Sequence, residues 1–222
     1  MPTVRAISAV ARENPGRRRA RKGDGELLRE EILDAAEALL VEHRTKEAVT
    51  IRAVADKVGV SAPSIYLHFA DKDELFYETC RRVFEVLNLR LVEALADQEG
   101  TVVDRMLRAG HVYIAFGLEH PRQYVTLFGA NSQDAIPLDQ IENDPGVHAF
   151  QLLVALITAG VEAGELDREL DIQATAVAVW AAVHGTVNVL ITKRGMETAL
   201  NIPPDDKVID AMLRMVVQGL RG

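Results

Sequence analysis

The chain has 222 residues, of which 48% are hydrophobic, and a net charge of −8, which excludes an intrinsically disordered chain and a uniformly basic nucleic-acid-binding protein. Its single cysteine, Cys80, excludes an internal disulfide and favours a reducing compartment such as the cytoplasm. Residues 1–25 hold seven Lys and Arg against two acidic residues, 7 − 2 = +5, so residues 26–222 carry −8 − 5 = −13. We therefore expect a basic, flexible arm that either assists DNA binding or is only solvated, ahead of an acidic body.

The rest of the chain has the periodicity of helices and no useful strand alternation. Apolar residues at Leu28, Ile32, Ala36 and Leu39 recur every three or four positions and predict a first helix with one buried face. Later helices are predicted over 71–98, 101–119, 121–129, 146–164, 171–194 and 205–220, with a surface loop over 130–145. The pattern predicts an all-α fold.

Between the first helix and the long one, the sequence predicts two short helices joined by a tight turn. Thr50 is the expected N-cap of the first, and Gly59 supplies the positive φ at which that helix ends. Ser61 is the expected N-cap of the second, and Pro63 fits its first turn. Asp71–Glu74 then predicts a capped start for the long helix. This arrangement is typical of a helix-turn-helix, although helical hairpins without DNA binding share it.

The second short helix is the expected DNA-reading helix, because small and polar residues at its start allow close approach to base edges. Hydroxyl, imidazole and cationic groups around it are expected to contact phosphates. Phe69 is interpreted as a core aromatic. The candidate DNA-binding residues are Thr50, Arg52, Ser61, Ala62, Pro63, Ser64, Tyr66, His68 and Lys72.

The segment "TIRAVADKVGVSAPSIYLHFADKDEL" resembles the DNA-binding domain of TetR-family transcriptional regulators. The family pattern is matched at Thr50, Ala55, Gly59, Val60, Ser61, Tyr66, His68, Phe69 and Lys72. One departure is the absence of the usual glycine after the first helix, where this chain reads "EHRTKEAVT", which implies a different cap with Arg44 or Lys46 exposed toward DNA. The resemblance implies a three-helix helix-turn-helix domain at 26–75 after an arm at 1–25, then a helical effector-binding and dimerisation domain at 76–222.

The segments "AFGLEHPRQYVTLFG" and "WAAVHG" are similar to a TetR subgroup with a Trp-x-x-x-His-Gly element in its C-terminal domain. The resemblance implies a homodimer on a palindromic DNA operator, most often a repressor released by a small effector, which we expect to be largely apolar. For each pocket residue the alternative is plain core packing. The pocket candidates are His111, Tyr113, Phe116, Tyr124, Phe128, Phe150, Trp180 and His184.

The last two long helices are the expected dimer interface, because both carry apolar faces that would pair across a two-fold axis. The faces predicted to pair are Val177, Val183, Val187 and Leu190 in one helix, and Ile209, Met212, Leu213, Val216 and Leu220 in the other.

Other classes of protein fit less well. Residues 172–192 lack charge and are long enough to cross a membrane, but Gln173, His184 and Asn188 favour a core and interface helix. No nucleophile, phosphate-loop, dinucleotide or metal motif is present, so we expect no enzymatic activity, cofactor or metal. A helical ligand-binding or interaction protein that has lost specific DNA binding remains the alternative.

Overall fold

The computed structural model describes residues 24–43, 46–97, 99–129, 141–193 and 196–221, and within these ranges all regular structure is helical. The predicted all-α fold is confirmed. The basic arm and the proposed exposure of Arg44 lie outside the described residues. The helices are α1 (Asp24–His43), α2 (Ile51–Val58), α3 (Ala62–Ile65), α4 (Lys72–Ala96), α5 (Val102–Glu119), α6 (Pro121–Gly129), α7 (Pro145–Glu162), α8 (Ile172–Thr192), α9 (Glu197–Leu200) and α10 (Asp205–Arg221), with short 3-10 turns at Lys46–Ala48 and Ile141–Asn143.

The helix ends around the turn follow local side-chain chemistry. Thr50 Oγ1 accepts a hydrogen bond from the Ala53 N–H at 3.1 Å, and α2 ends at Gly59 with φ of 80°. At the start of α4, the Asp71 carboxylate accepts from the N–H groups of Asp73 and Glu74. These three predicted helix boundaries are confirmed.

Ser61 has its predicted position but not the expected side-chain bond. It occupies the N-cap position of α3, but its side chain makes no capping hydrogen bond. Its Oγ instead lies 2.8 Å from Ser64 Oγ, so the two hydroxyl groups form a hydrogen bond. A serine hydroxyl can bond either backbone groups or nearby side chains, and Ser61 bonds the hydroxyl of Ser64 rather than a backbone N–H.

Two hydrophobic clusters form the interior. The N-terminal cluster comes from α1, α2, α3 and the start of α4, and the C-terminal cluster from α4, α5, α7, α8 and α10 with part of α6. Helix α4 belongs to both, because Leu75 lies in the first cluster while Val83 and Leu87 lie in the second. The residues buried in the N-terminal cluster are Ile32, Leu33, Ala35, Ala36, Leu39, Leu40, Val49, Val54, Ala55, Ile65, Phe69 and Leu75.

Ion pairs tie α1 to α4 across the junction of the clusters. The Arg82 guanidinium lies 2.5 Å from Asp34 and 3.3 Å from Glu30 on α1. One turn earlier on α4, Glu78 pairs with Arg29. Each pair is partly exposed and is worth little alone, but together they fix α1 along the first half of α4.

The segment predicted as a surface loop is partly structured. Residues 130–140 lie outside the described residues, and the segment then closes with a 3-10 turn and Asp144, which is only 5% exposed. The Asp144 carboxylate accepts from the N–H groups of Gly146 and Val147 and so caps α7, which begins with Pro145. The polar composition that predicted a loop therefore reflects a buried helix cap at its end.

The dimer faces predicted from periodicity need correction. Val183 and Val187 of α8, and Met212 and Leu213 of α10, are buried within one chain in the C-terminal cluster. The opposite faces of the same helices are exposed. They carry small or apolar residues, namely Ala178, Ala181 and Val189 on α8, and Ala211 and Met215 on α10.

Two helices, α7 and α8, are long and apolar enough to span a membrane by length and composition alone. In the fold, α7 packs against α4, α5 and α8, while α8 also packs against α5 and α10. A bundle helix with a second apolar face meets the same criterion as a membrane span.

Candidate nucleic-acid interface and internal cavity

The reading helix α3 and the residues just after it have one buried side and one exposed side. Ile65 and Phe69 are 0% and 1% exposed and hold α3 against the N-terminal cluster. On the outer side, Ser61 and Pro63 are exposed, and Tyr66 keeps 54% of its surface. Of the candidate base-facing residues, Ser61 and Pro63 therefore lie on the outer side of α3, whereas Ser64 is half-buried and Ala62 packs partly against the N-terminal cluster.

The candidate phosphate-binding groups surround this face. Thr50 and Arg52 are exposed at the start of α2, whereas His68 and Lys72 are half-buried after α3. Since Thr50 Oγ1 accepts from the Ala53 N–H, its own O–H remains able to donate to a phosphate oxygen. The first N–H groups of α2 point the same way and favour an anion.

Leu67 is a surface feature that the sequence did not single out. It is 82% exposed, between Tyr66 and His68. An apolar side chain at the end of a reading helix suits contact with a thymine methyl or a deoxyribose. Its signal in the sequence is weak, because a leucine within a helical pattern normally predicts core.

The C-terminal cluster borders a cavity of about 1060 Å³, lined by α4, α5, α7, α8 and α10. Most lining side chains are aliphatic or aromatic, such as Leu87, Leu91 and Leu153. A volume of this size and an apolar wall are typical of a small-molecule site.

The structure places the predicted pocket residues in two groups. Five line the cavity, namely Tyr113, Phe128, Phe150, Trp180 and His184. The others do not line it. His111 is exposed on the outer side of α5, whereas Phe116 and Tyr124 are buried within the cluster. All are at helical spacings that suit either position, which is why periodicity did not separate them.

A chain of hydrogen bonds crosses one wall of the cavity. Tyr113 Oη lies 3.1 Å from Tyr124 Oη, which lies 2.6 Å from His184 Nδ1. His184 Nε2 lies 2.8 Å from the amide nitrogen of Asn188, one turn along α8. From the other side, Trp180 Nε1 donates to Tyr113 Oη at 3.3 Å. We call these five residues the polar relay.

Burial sets the protonation of the relay. It raises the pKa of both Tyr113 and Tyr124, so both phenols keep their protons at neutral pH. It lowers the pKa of His184, so the imidazole is neutral. The Phe128 ring packs edge-on against His184 at 4.4 Å between centroids, which excludes water from that side.

One end of the cavity is acidic and lies at the start of α4. Asp71, Asp73, Glu74 and Asp144 line it, together with Arg81. The Arg81 guanidinium is held by Glu78 at 3.2 Å and by Glu85. The cavity thus reaches the start of α4, the helix that comes after the reading helix.

A hydrogen bond joins two helices at this acidic end. Tyr77 Oη on α4 donates to Asp144 Oδ2, the cap of α7, at 3.1 Å. Burial, reinforced by this bond, raises the pKa of Tyr77 to about 12. No pattern in the sequence pointed to the pair, because its members are 67 residues apart and one lay in a predicted loop.

In the part of the chain that the structure describes, no group of three or more His, Cys, Asp or Glu side chains is placed to hold a metal ion. Cys80 is half-buried on α4 and lines the cavity.

Comparison with known proteins gives matches to both halves of the chain. Residues 32–79 match the profile of bacterial regulatory proteins of the tetR family, and residues 106–216 match the tetracyclin repressor-like C-terminal domain. The helix-turn-helix lies within the first range, and the cavity-lining parts of α5, α7 and α8 lie within the second.

Individual relatives agree. The chain is 27% identical over 147 residues to the HTH-type transcriptional repressor KstR2 of Mycobacterium tuberculosis, a match that covers 65% of this chain and 72% of that protein. The solved structure of that ketosteroid transcriptional regulator covers 88% of this chain and 95% of its own, with 22% identity and a TM-score of 0.62. A Rhodococcus sp. RHA1 protein of unknown function has a TM-score of 0.73 and 22% identity, covering 95% of this chain and all of the other.

Proposed function

The chain belongs to the TetR family of DNA-binding transcriptional regulators, and from that premise we propose that it is a repressor that binds a palindromic operator as a homodimer and is released by a small apolar effector. The observation that carries the proposal is the reach of the cavity. It extends from the polar relay to Asp71 and Glu74, at the start of the helix that comes after the reading helix. The chain would comprise an arm at 1–25, a helix-turn-helix domain at 26–75 and an effector-binding and dimerisation domain at 76–222.

The proposed DNA contacts divide by chemistry. Ser61, Ala62, Pro63 and Ser64 would approach base edges, because the start of a reading helix enters the major groove. The flanking hydroxyl, imidazole and cationic groups would fix its position on phosphates. These flanking groups are Thr50, Arg52, Tyr66, His68 and Lys72, and Leu67 adds an apolar contact.

The outer faces of α8 and α10 support the proposed dimer. Ala181 and Gly185 lie on α8, and a Cβ added at Gly185 would meet no atom within 4 Å, so a partner helix has room to approach closely. On α10, Met215 is 63% exposed and can fill a partner's surface. A two-fold axis here would place two reading helices roughly 34–36 Å apart, one turn of DNA.

Release would follow from a population shift. An effector that wedges between α4 and α7 would favour one position of α4, and α1 follows α4 through Arg82 and Arg29. The reading helices of the dimer would then change spacing. Operator affinity falls by the difference in effector affinity between the two states.

Membership of the TetR family supports a protein that acts in the cytoplasm, without enzymatic activity and without a cofactor. The cavity's largely apolar wall suits binding better than chemistry, since the relay groups that line it are a phenol, an imidazole and an indole, and its carboxylates and Arg81 lie at the acidic end.

The first experiment is a gel shift of the purified protein on its own upstream intergenic DNA, titrated with salt and with nonspecific competitor. We expect a discrete shift that survives competitor and weakens steeply with salt. A shift that competitor abolishes would contradict operator recognition and favour the alternative, a helical ligand-binding protein that no longer binds a specific site.

A further inference from the structure

The groups at the two ends of the polar relay determine which atoms donate and which accept in its hydrogen bonds. Trp180 Nε1 is a donor only, so it must donate to Tyr113 Oη. At the other end, the Asn188 amide nitrogen lies 3.3 Å from the His184 carbonyl oxygen and 2.8 Å from His184 Nε2. A reversed amide would set two carbonyl oxygens against each other, so the nitrogen donates to Nε2.

These end groups also determine the donors in the remaining hydrogen bonds, up to Tyr113. Since neutral His184 accepts at Nε2, its proton is on Nδ1 and is donated to Tyr124 Oη. Tyr124 then donates its own proton to Tyr113 Oη. Tyr113 therefore accepts twice, from Tyr124 and from Trp180, and both of its lone pairs are used.

The hydroxyl proton of Tyr113 has no acceptor within the polar relay. Among the described residues its Oη makes hydrogen bonds with Tyr124 and Trp180, both as an acceptor in this arrangement. The ring lines the cavity. A molecule in the cavity thus meets a hydrogen-bond donor at this wall, and a buried donor is costly to leave without an acceptor.

The charges around the cavity restrict the acceptor. Among the described lining residues the cation is Arg81, which is already held by Glu78 and Glu85. The remaining charged lining groups are the carboxylates of Asp71, Asp73, Glu74 and Asp144. An anionic ligand would be desolvated by the apolar wall without a free positive partner, and it would be repelled by the acidic end.

We propose that the cavity binds an uncharged, largely apolar molecule with a carbonyl group, such as a ketone or an ester, whose oxygen accepts a hydrogen bond from Tyr113. This rests on the proposed function, which assigns the cavity to an effector, and it names the effector's chemical class. The carbonyl end lies against the relay, and the apolar body extends between α4, α5 and α7 toward the acidic end.

The single tryptophan of the chain, Trp180, lies in the cavity wall and reports binding by its fluorescence. We would titrate the full chain, without DNA, with the methyl ketone undecanone, the alcohol undecanol and the carboxylate undecanoate. We expect undecanone to bind about tenfold more tightly than undecanoate at neutral pH, because the carboxylate gains no free cation. Undecanol is expected to fall between them.

Tyr113→Phe tests the contact itself. It should weaken undecanone binding by about three- to tenfold, the worth of one hydrogen bond, and leave undecanoate binding nearly unchanged. Tyr77→Phe is the matched control, because it removes a hydroxyl that lines the same cavity but is bonded to Asp144 rather than to the polar relay. Circular dichroism checks that both variants fold, and the titrations of the unchanged protein need no variant.

Tighter binding of undecanoate, equal losses for ketone and carboxylate in Tyr113→Phe, or no ketone binding at its solubility limit would each overturn the inference. Operator binding, measured separately without ligand, distinguishes this from failure of the proposed function. Protein that binds undecanone through Tyr113 but no operator would retain the cavity assignment and lose the repressor assignment. The reverse result would retain operator recognition alone.

Discussion

The N-terminal cluster is built from fully buried side chains such as Ile32 and Val54, whereas the C-terminal cluster borders a cavity of about 1060 Å³. In the first, the interior only holds the reading helix in place, and the groups proposed to act, such as Arg52 and Tyr66, remain exposed. In the second, the candidate groups Tyr113 and His184 face inward. One region is specialised on its surface and the other in its interior, and mutations should affect them differently.

The largest expected contrast is between two phenylalanines. Phe69→Ala removes a ring that is 1% exposed in the N-terminal cluster and should cost about 3–5 kcal/mol of unfolding free energy, with loss of DNA binding. Phe128→Ala, at the cavity wall, should cost clearly less, since its ring already borders empty space. Urea denaturation of both variants measures the difference. Equal losses would show that the second cluster is as closely packed as the first around these rings.

A second comparison tests how closely α5 and α8 pack in the C-terminal cluster. A Cβ added at Gly117 would lie 2.4 Å from Val187 Cγ1, so Gly117→Ala should destabilise the protein by about 1–3 kcal/mol. Gly185→Ala is the control, because a Cβ there meets nothing and alanine favours a helix. Thermal melts compare the two. An unaffected Gly117→Ala variant would mean that α5 and α8 separate easily and that the cavity extends between them.

The surface of the reading region should respond to salt rather than to denaturant. Arg52→Ala should leave the unfolding free energy within about 0.5 kcal/mol and lower the slope of log affinity against log salt by about 0.9. Arg168→Ala removes the same charge from an exposed turn before α8 and is the control. Gel shifts at several salt concentrations provide the slopes. An identical slope for both variants would remove Arg52 from the proposed phosphate contacts.

Tyr66→Ala tests the exposed aromatic of the same surface. Because Tyr66 is 54% exposed, its loss should weaken operator binding by about 1 kcal/mol while the protein stays folded and dimeric. Sedimentation and gel shifts measure the two properties. Unchanged operator affinity would contradict a role for this hydroxyl in DNA binding.

The smallest expected effect is on pH dependence. Burial lowers the pKa of His184 in the folded chain, so the unfolded chain takes up this proton at higher pH. The contribution of His184 to stability is therefore complete above its unfolded pKa of about 6.5 and declines as the pH falls below it. His184→Gln should show a smaller loss of unfolding free energy between pH 7.5 and pH 5.5 than the unchanged chain, in matched urea titrations. The same loss in both would place the titrating groups elsewhere.

The reading region was largely predictable because its signals are local. Thr50, Gly59 and Asp71 determine helix ends through neighbouring backbone groups, and each is confirmed. Ser61 occupies the predicted N-cap position of α3, but its side chain pairs with Ser64 and does not bond the backbone. Two hydroxyls one turn apart compete with the backbone, and helix-end rules do not rank that competition.

The cavity was less predictable, since helical spacing describes a buried face without saying whether its far side is filled. Tyr124 and Phe128 lie one turn apart on α6, yet Phe128 borders the cavity and Tyr124 lies behind it as part of the relay. The Tyr77–Asp144 contact depends on tertiary packing alone. The dimer faces were misjudged for a related reason, because α8 is apolar on both sides and only the fold shows which side is already used.

Helix α4 is 25 residues long, about 37 Å, and contributes Leu75 to one cluster and Leu87 to the other. Unfolding either cluster would strip the same helix of half its partners. The two halves of the chain should therefore melt in one cooperative transition, despite their separate cores. A compound bound only in the cavity would then raise the melting temperature of the reading helix and slow the exchange of its amide hydrogens.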